Sequence, residues 1–85
     1  MGAKLQRSFD VRTDVATGSV LLVKGLDAYE LDGVGAKVWT LCDGSNDVDQ
    51  IADLVSSEYQ VDRGIVVNDV NAFVASMLKA GLLEG

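Results

Sequence analysis

Residues 28–44, AYELDGVGAKVWTLCDG, decide the fold. Ala28 to Leu31 reads as a short strand, with Tyr29 and Leu31 on one face. Asp32 stands at the N-cap position, where a carboxylate can accept one of the orphan backbone N–H groups of a first helical turn. A helix from about Gly33 to Cys42 follows. Val34, Val38 and Leu41 form its apolar stripe, and Trp39 and Cys42 flank it. Gly44 then ends the helix as its C′ residue. Gly35 lowers helix propensity, and close packing is one reason for a glycine there. The strand feeds the helix directly, so an open strand edge beside a helix, a place for a peptide, is expected here.

Working outward, Phe9, Val11 and Thr13 alternate with Asp10, Arg12 and Asp14, the period of a half-buried strand. Ala16-Thr17-Gly18 is a turn, Ser19 to Lys24 a second strand, and Gly25-Leu26-Asp27 closes a hairpin onto the third. Downstream, Asp47 with Gln50 three residues on is a capping-box start. The helix it opens carries Val48, Ile51, Leu54, Val55 and Tyr59 on its apolar face and ends near Tyr59. Asp62 caps a third helix from Arg63 to Ala80, with Val66, Val70, Phe73, Val74, Met77 and Leu78 at helical spacing. Gly81 stops it, and Leu82-Leu83 fold back onto the core. The fold class is therefore α+β, winged helix-turn-helix-like, with a three-stranded antiparallel sheet followed by three helices. One domain spanning 1–85 is expected, with residues 1–7 flexible ahead of the first strand.

A chain of 85 residues buries roughly 60–65 % of its unfolded surface, enough to fold with little margin. Apolar runs reach only four residues, as at Val20 to Val23, far short of a membrane span. The start, MGAKLQRS, lacks the apolar core of a signal peptide, so a cytosolic setting is expected. Histidine is absent and Cys42 is the single cysteine. That removes a Cys–His or Ser–His pair, an intrachain disulfide and most metal sites. No GxGxxG or Walker loop is present, and no cofactor is indicated. The net charge of −6 falls entirely in residues 43–85, where eight acidic side chains face Arg63 and Lys79 alone. An acidic helical half repels phosphate backbones, which weighs against a winged-helix DNA-binding domain.

Asp47, Asp49 and Asp53 lack the spacing of an EF-hand loop, so Asp47 is read as a cap and the other two as a solvated i, i+4 face. Cys42 sits beside Asp43 at the negative end of its helix, which favours an inert buried thiol. Trp39, between Val38 and Leu41, reads as core. For Phe73 and Met77 two readings stand together: inward packing, or the flank of a groove. The third strand likewise reads as a site for a guest strand or as an edge too short to be a hazard.

The matching pieces LLV at 21–23, YELDGVGAKVW at 29–39, LCDG at 41–44, DVDQIADLVSSEY at 47–59 and NDVNAFVASMLKAGLL at 68–83, in this order, resemble the PqqD-like proteins. That resemblance implies a non-catalytic RiPP recognition element, a module that binds the leader of a ribosomally made precursor peptide and presents it to a modifying enzyme or leader peptidase. It implies that the leader pairs with the third strand and lies against the third helix. Carried onto this chain, the peptide-binding positions are Ala28, Tyr29, Glu30 and Leu31 on the strand. On the helix they are Val66, Val67, Asp69, Val70, Phe73 and Val74. The GAKVW segment is similar to stand-alone proteins of lasso-peptide pathways, which implies a leader peptidase partner. The LCDG segment resembles the quinone-cofactor proteins, whose partner is a radical SAM enzyme.

Overall fold

The computed structural model describes residues 4–84. The chain runs β1 (Leu5–Arg7), β2 (Arg12–Ala16), β3 (Ser19–Lys24), β4 (Asp27–Asp32), α1 (Gly33–Leu41), β5 (Asp43–Asn46), α2 (Val48–Tyr59), α3 (Arg63–Lys79) and β6 (Leu83–Glu84). The α+β class holds, and the expected three strands precede the three helices, but β5 falls between α1 and α2 and β6 follows α3. The sheet expected from the alternation is β2-β3-β4, antiparallel throughout. A second antiparallel sheet, β5-β1-β6, is added to it.

That second sheet corrects two expectations. Leu5–Arg7 is a paired strand rather than a flexible lead, while the flexibility expected of residues 1–3 lies outside the described residues. Leu5 is buried, and Arg7 donates to the Trp39 and Thr40 carbonyls at 3.0 and 3.1 Å. A guanidinium there satisfies orphan carbonyls at the negative end of α1. Gly44 is not the residue that ends α1; the helix ends at Leu41 with Cys42 as its C-cap, and Gly44 lies within β5.

The first strand of the main sheet also starts later than the alternation suggested. The Val11 amide donates to the Ser8 carbonyl at 3.2 Å, closing a turn that throws Phe9 into solvent at 96 % exposure. In register, Val20 faces Leu31 and Leu22 faces Tyr29 and Thr13 on the inner side of the sheet. Leu22 is wholly buried, worth about 1.5–3 kcal/mol for a side chain of that size. Thr17-Gly18 makes the first hairpin turn, and Gly18 has φ +77°, a left-handed conformation that suits glycine in such turns.

The helices pack on that inner face. Val38 and Trp39 of α1, Ile51, Ala52 and Val55 of α2, and Val66, Val70 and Val74 of α3 are buried together with Val20 and Leu22. Leu82 and Leu83 fold back into the same core, as expected. The Trp39 indole Nε1 donates to Thr13 Oγ1 at 3.2 Å, joining α1 to β2. The capping box of α2 is complete: the Gln50 amide donates to the Asp47 carboxylate and the Gln50 side chain accepts from the Asp47 amide, both at 2.9 Å. The Asp62 carboxylate accepts from the Gly64 amide at 2.8 Å at the start of α3. Arg63 bridges the helices, its guanidinium paired with Asp49 at 3.5 Å and with Asp53. The buried stripes are narrower than the spacing predicts, because Val34, Leu54, Tyr59 and Leu78 are substantially exposed.

Cys42 is fully buried, and its thiol donates to the Val38 carbonyl at 3.2 Å. Burial pushes the thiol up to about 11; Arg7 pulls the other way, and Asp43 adds to the rise. A folded-state value above the unfolded one means the native thiol keeps its proton while the unfolded one ionises. Stability is therefore full below about pH 9 and declines as pH rises toward 11, by about 2 kcal/mol. Alkylation of Cys42 is expected to be undetectable at about pH 8 in the native protein and complete once urea unfolds it. Rapid native labelling would contradict the buried placement.

Candidate functional site

The main sheet has two edges, β2 and β4. On β2, Arg12 and Asp14 pair at 3.1 Å and place charges along the strand, a common guard against pairing. β4 is charged as well, with Asp27 and Asp32 at its ends and Glu30 as the only charge in the stretch Ala28-Tyr29-Glu30-Leu31 between them, so all its charges are acidic. Tyr29 and Leu31 point to the inner side, and Tyr29 remains 37 % exposed although its partner Leu22 is buried. The inner side of β4 is thus not fully covered by the helices.

Two anchor points show what lies beside it. At the β3–β4 hairpin, Lys24 Nζ donates to the Gly81 carbonyl at 2.9 Å, just beyond the C-terminal end of α3. At the other end of β4 the chain turns through Gly33, with φ +55°, straight into α1. There a Cβ placed on Gly35 would lie 3.7 Å from the Phe73 ring in the middle of α3. β4 therefore starts near the C-terminal end of α3 and leads back toward its middle. Asp32 holds the N-cap position of α1 with extended backbone, but its carboxylate makes no capping bond, which corrects the role read for it.

A groove of about 280 Å³ opens where α1, α2 and α3 meet. Its floor is Val38, Val55, Val66 and Val70, all buried. Its rim is Val34 and Gly35 from the first turn of α1, Val61 from the α2–α3 connection, and Asp69 and Phe73 from α3. Asp69 is the only charged residue of the lining.

The site positions inferred from the sequence divide accordingly. Val66, Asp69, Val70 and Phe73 come together in the groove. Successive residues of a helix are about 100° apart, which puts Asp69 and Phe73 on one flank of the buried Val66–Val70–Val74 stripe and Val67 on the opposite flank. Val67 is half-buried away from the groove lining, and Val74 is buried in the core. Conversely, Val34, Gly35 and Val38 line the groove, although Val34 and Val38 read from the sequence as core alone. The sequence signal was Gly35, a glycine inside a helix.

Among the described residues no group of three acidic, histidine or cysteine side chains is placed to hold a metal. No helix there is long and apolar enough to cross a membrane.

The fold of an open-edged antiparallel sheet followed by three helices is shared with known proteins. The family model described as coenzyme PQQ synthesis protein D (PqqD) matches residues 18–83. The chain belongs to the PqqD family. No curated protein matches it. Among solved structures it is similar to TbiB1 in complex with the TbiA(beta) leader peptide, at 29 % identity and a TM-score of 0.86 over 94 % of this chain and 95 % of that one. The PqqD truncation of Methylobacterium extorquens PqqCD, a stand-alone RiPP recognition element, is 25 % identical with a TM-score of 0.78, over 95 % and 88 % of the two chains. Lasso peptide synthetase B1 complexed with its leader peptide shares the fold, at 19 % identity and a TM-score of 0.85 over 98 % and 100 %.

Proposed function

We propose that this protein is a leader-peptide recognition element that acts by binding rather than by catalysis. The observation that carries this reading is the unpaired edge of β4 leading to an apolar groove against α3. A guest leader adds as a strand along Ala28–Leu31, its backbone amides and carbonyls pairing with those the edge leaves open. Its apolar side chains then lie against Phe73 and the valine floor. A few buried anchors supply most of the affinity.

The bound leader carries its precursor, in the cytoplasm, to an enzyme of the same pathway. The favoured setting is lasso-type, with a leader peptidase as partner, because the GAKVW segment at 35–39 is similar to stand-alone proteins of such pathways. A PqqD-type role beside a radical SAM enzyme is the alternative.

Titration of a fluorescent leader, from the precursor encoded beside this chain, is expected to give saturable binding. Hydrogen exchange of the β4 amides is expected to slow in the complex. Absence of saturation would overturn the reading, and tight duplex binding at low salt would favour a DNA-binding domain instead.

A further inference from the structure

Resting on that reading, we infer that Gly35 and Asp69 set the specificity of the site, selecting a guest peptide with an aromatic or large aliphatic anchor next to a lysine or arginine. Gly35 lies inside α1, where glycine destabilises a helix relative to alanine. Its backbone does not explain the residue, because Gly35 is not among the glycines with positive φ. Steric exclusion by the folded chain does not explain it either. An added Cβ would meet only the Phe73 ring, at an ordinary van der Waals distance of 3.7 Å. What the missing side chain provides is room. Gly35 lines the groove beside Phe73, together with the floor residues Val38 and Val70.

The space suits a large side chain. A cavity of about 150 Å³ holds a benzene ring, and this groove measures about 280 Å³. Its floor offers no polar partner from a side chain, so a polar anchor would be desolvated without compensation. At the rim, Asp69 enters no ion pair among the described residues, since Lys37 is paired with Glu58 and Arg63 with Asp49 and Asp53. A cation from the guest is the complementary charge, and the acidic helical half strengthens that preference.

The test is a selection of random short peptides displayed against the folded protein. Enriched peptides are expected to pair a large apolar residue with Lys or Arg. They are expected to lose binding when alternate backbone amides are N-methylated, which removes strand pairing. Gly35→Leu fills the groove and should weaken them by about 10- to 100-fold, as expected when one large apolar side chain stays unburied. Gly35→Ala should weaken them less while raising the Tm by roughly 2–8 °C. Asp69→Lys should shift selection toward acidic neighbours. Peptides that need their backbone amides yet ignore Gly35→Leu and Asp69→Lys would overturn this inference and leave leader binding standing. Failure to enrich any peptide sensitive to N-methylation would overturn both.

Discussion

Trp39→Ala is expected to remove about 3–5 kcal/mol of stability, the usual cost of truncating a fully buried tryptophan. The side chain is 1 % exposed and sits where α1 meets the sheet. A chain of this length has a total stability of roughly 4–13 kcal/mol, so the variant should be largely unfolded in modest urea. Two losses combine. The cavity forfeits dispersion contacts on every side of the ring, and Thr13 Oγ1 loses the indole donor that ties β2 to α1. Trp39→Phe should cost less, because most of the ring volume remains and only the hydrogen bond and part of the packing are lost. Urea titration followed by circular dichroism separates the cases. A fall in midpoint at constant slope marks lost stability, and a changed slope would mark altered compactness. A midpoint for Trp39→Ala close to that of the parent would contradict the core described above.

Local physics marked some parts of the molecule in the sequence. The capping box at Asp47 and Gln50 and the cap at Asp62 are short-range signals, and both helices start where those residues stand. The hairpins were legible because the turn glycines, Gly18 and Gly25, bracket the Val- and Leu-rich run of β3. The second sheet was not legible, for an equally physical reason. Its strands span three, four and two residues, too few for a period to emerge. Residues far apart in sequence hold them together: the Ser8 amide donates to the Leu82 carbonyl at 3.0 Å and the Arg7 amide to the Cys42 carbonyl at 3.2 Å. Phe9 misled because its alternation was real while the turn that expels it depends on those distant partners. The same division runs through the site. The β4 edge and the buried stripe of α3 follow from periodicity alone. Which flank of α3 faces the groove depends on where α1 docks, and that is settled by Gly35 lying against Phe73. Spacing alone separates Val67 from Phe73 around the helix, and only the packed structure says which of the two flanks faces the groove.

That division makes the sharpest prediction about the site. Val70→Asp and Phe73→Asp place the same charge one turn apart on α3 and should behave differently. Val70 is 1 % exposed, so an aspartate there leaves an unpaired carboxylate in the core, at a cost of several kcal/mol. The variant is expected not to fold. Phe73 is only half-buried and faces the groove, so its replacement can reach water. Phe73→Asp is expected to keep the native circular dichroism spectrum with a lowered Tm. It should lose leader affinity by about 100-fold or more, because it removes the apolar wall and adds a second carboxylate beside Asp69. Val67→Ala, on the opposite flank, should change affinity less than about twofold, the behaviour of a residue outside the contact. Fluorescence anisotropy with the labelled leader, read beside the melting curve of each variant, decides the matter. If Phe73→Asp folds and binds as the parent does, the leader does not lie against this flank of α3. If Val67→Ala weakens binding as strongly, the leader uses the flank that this fold turns away from the groove.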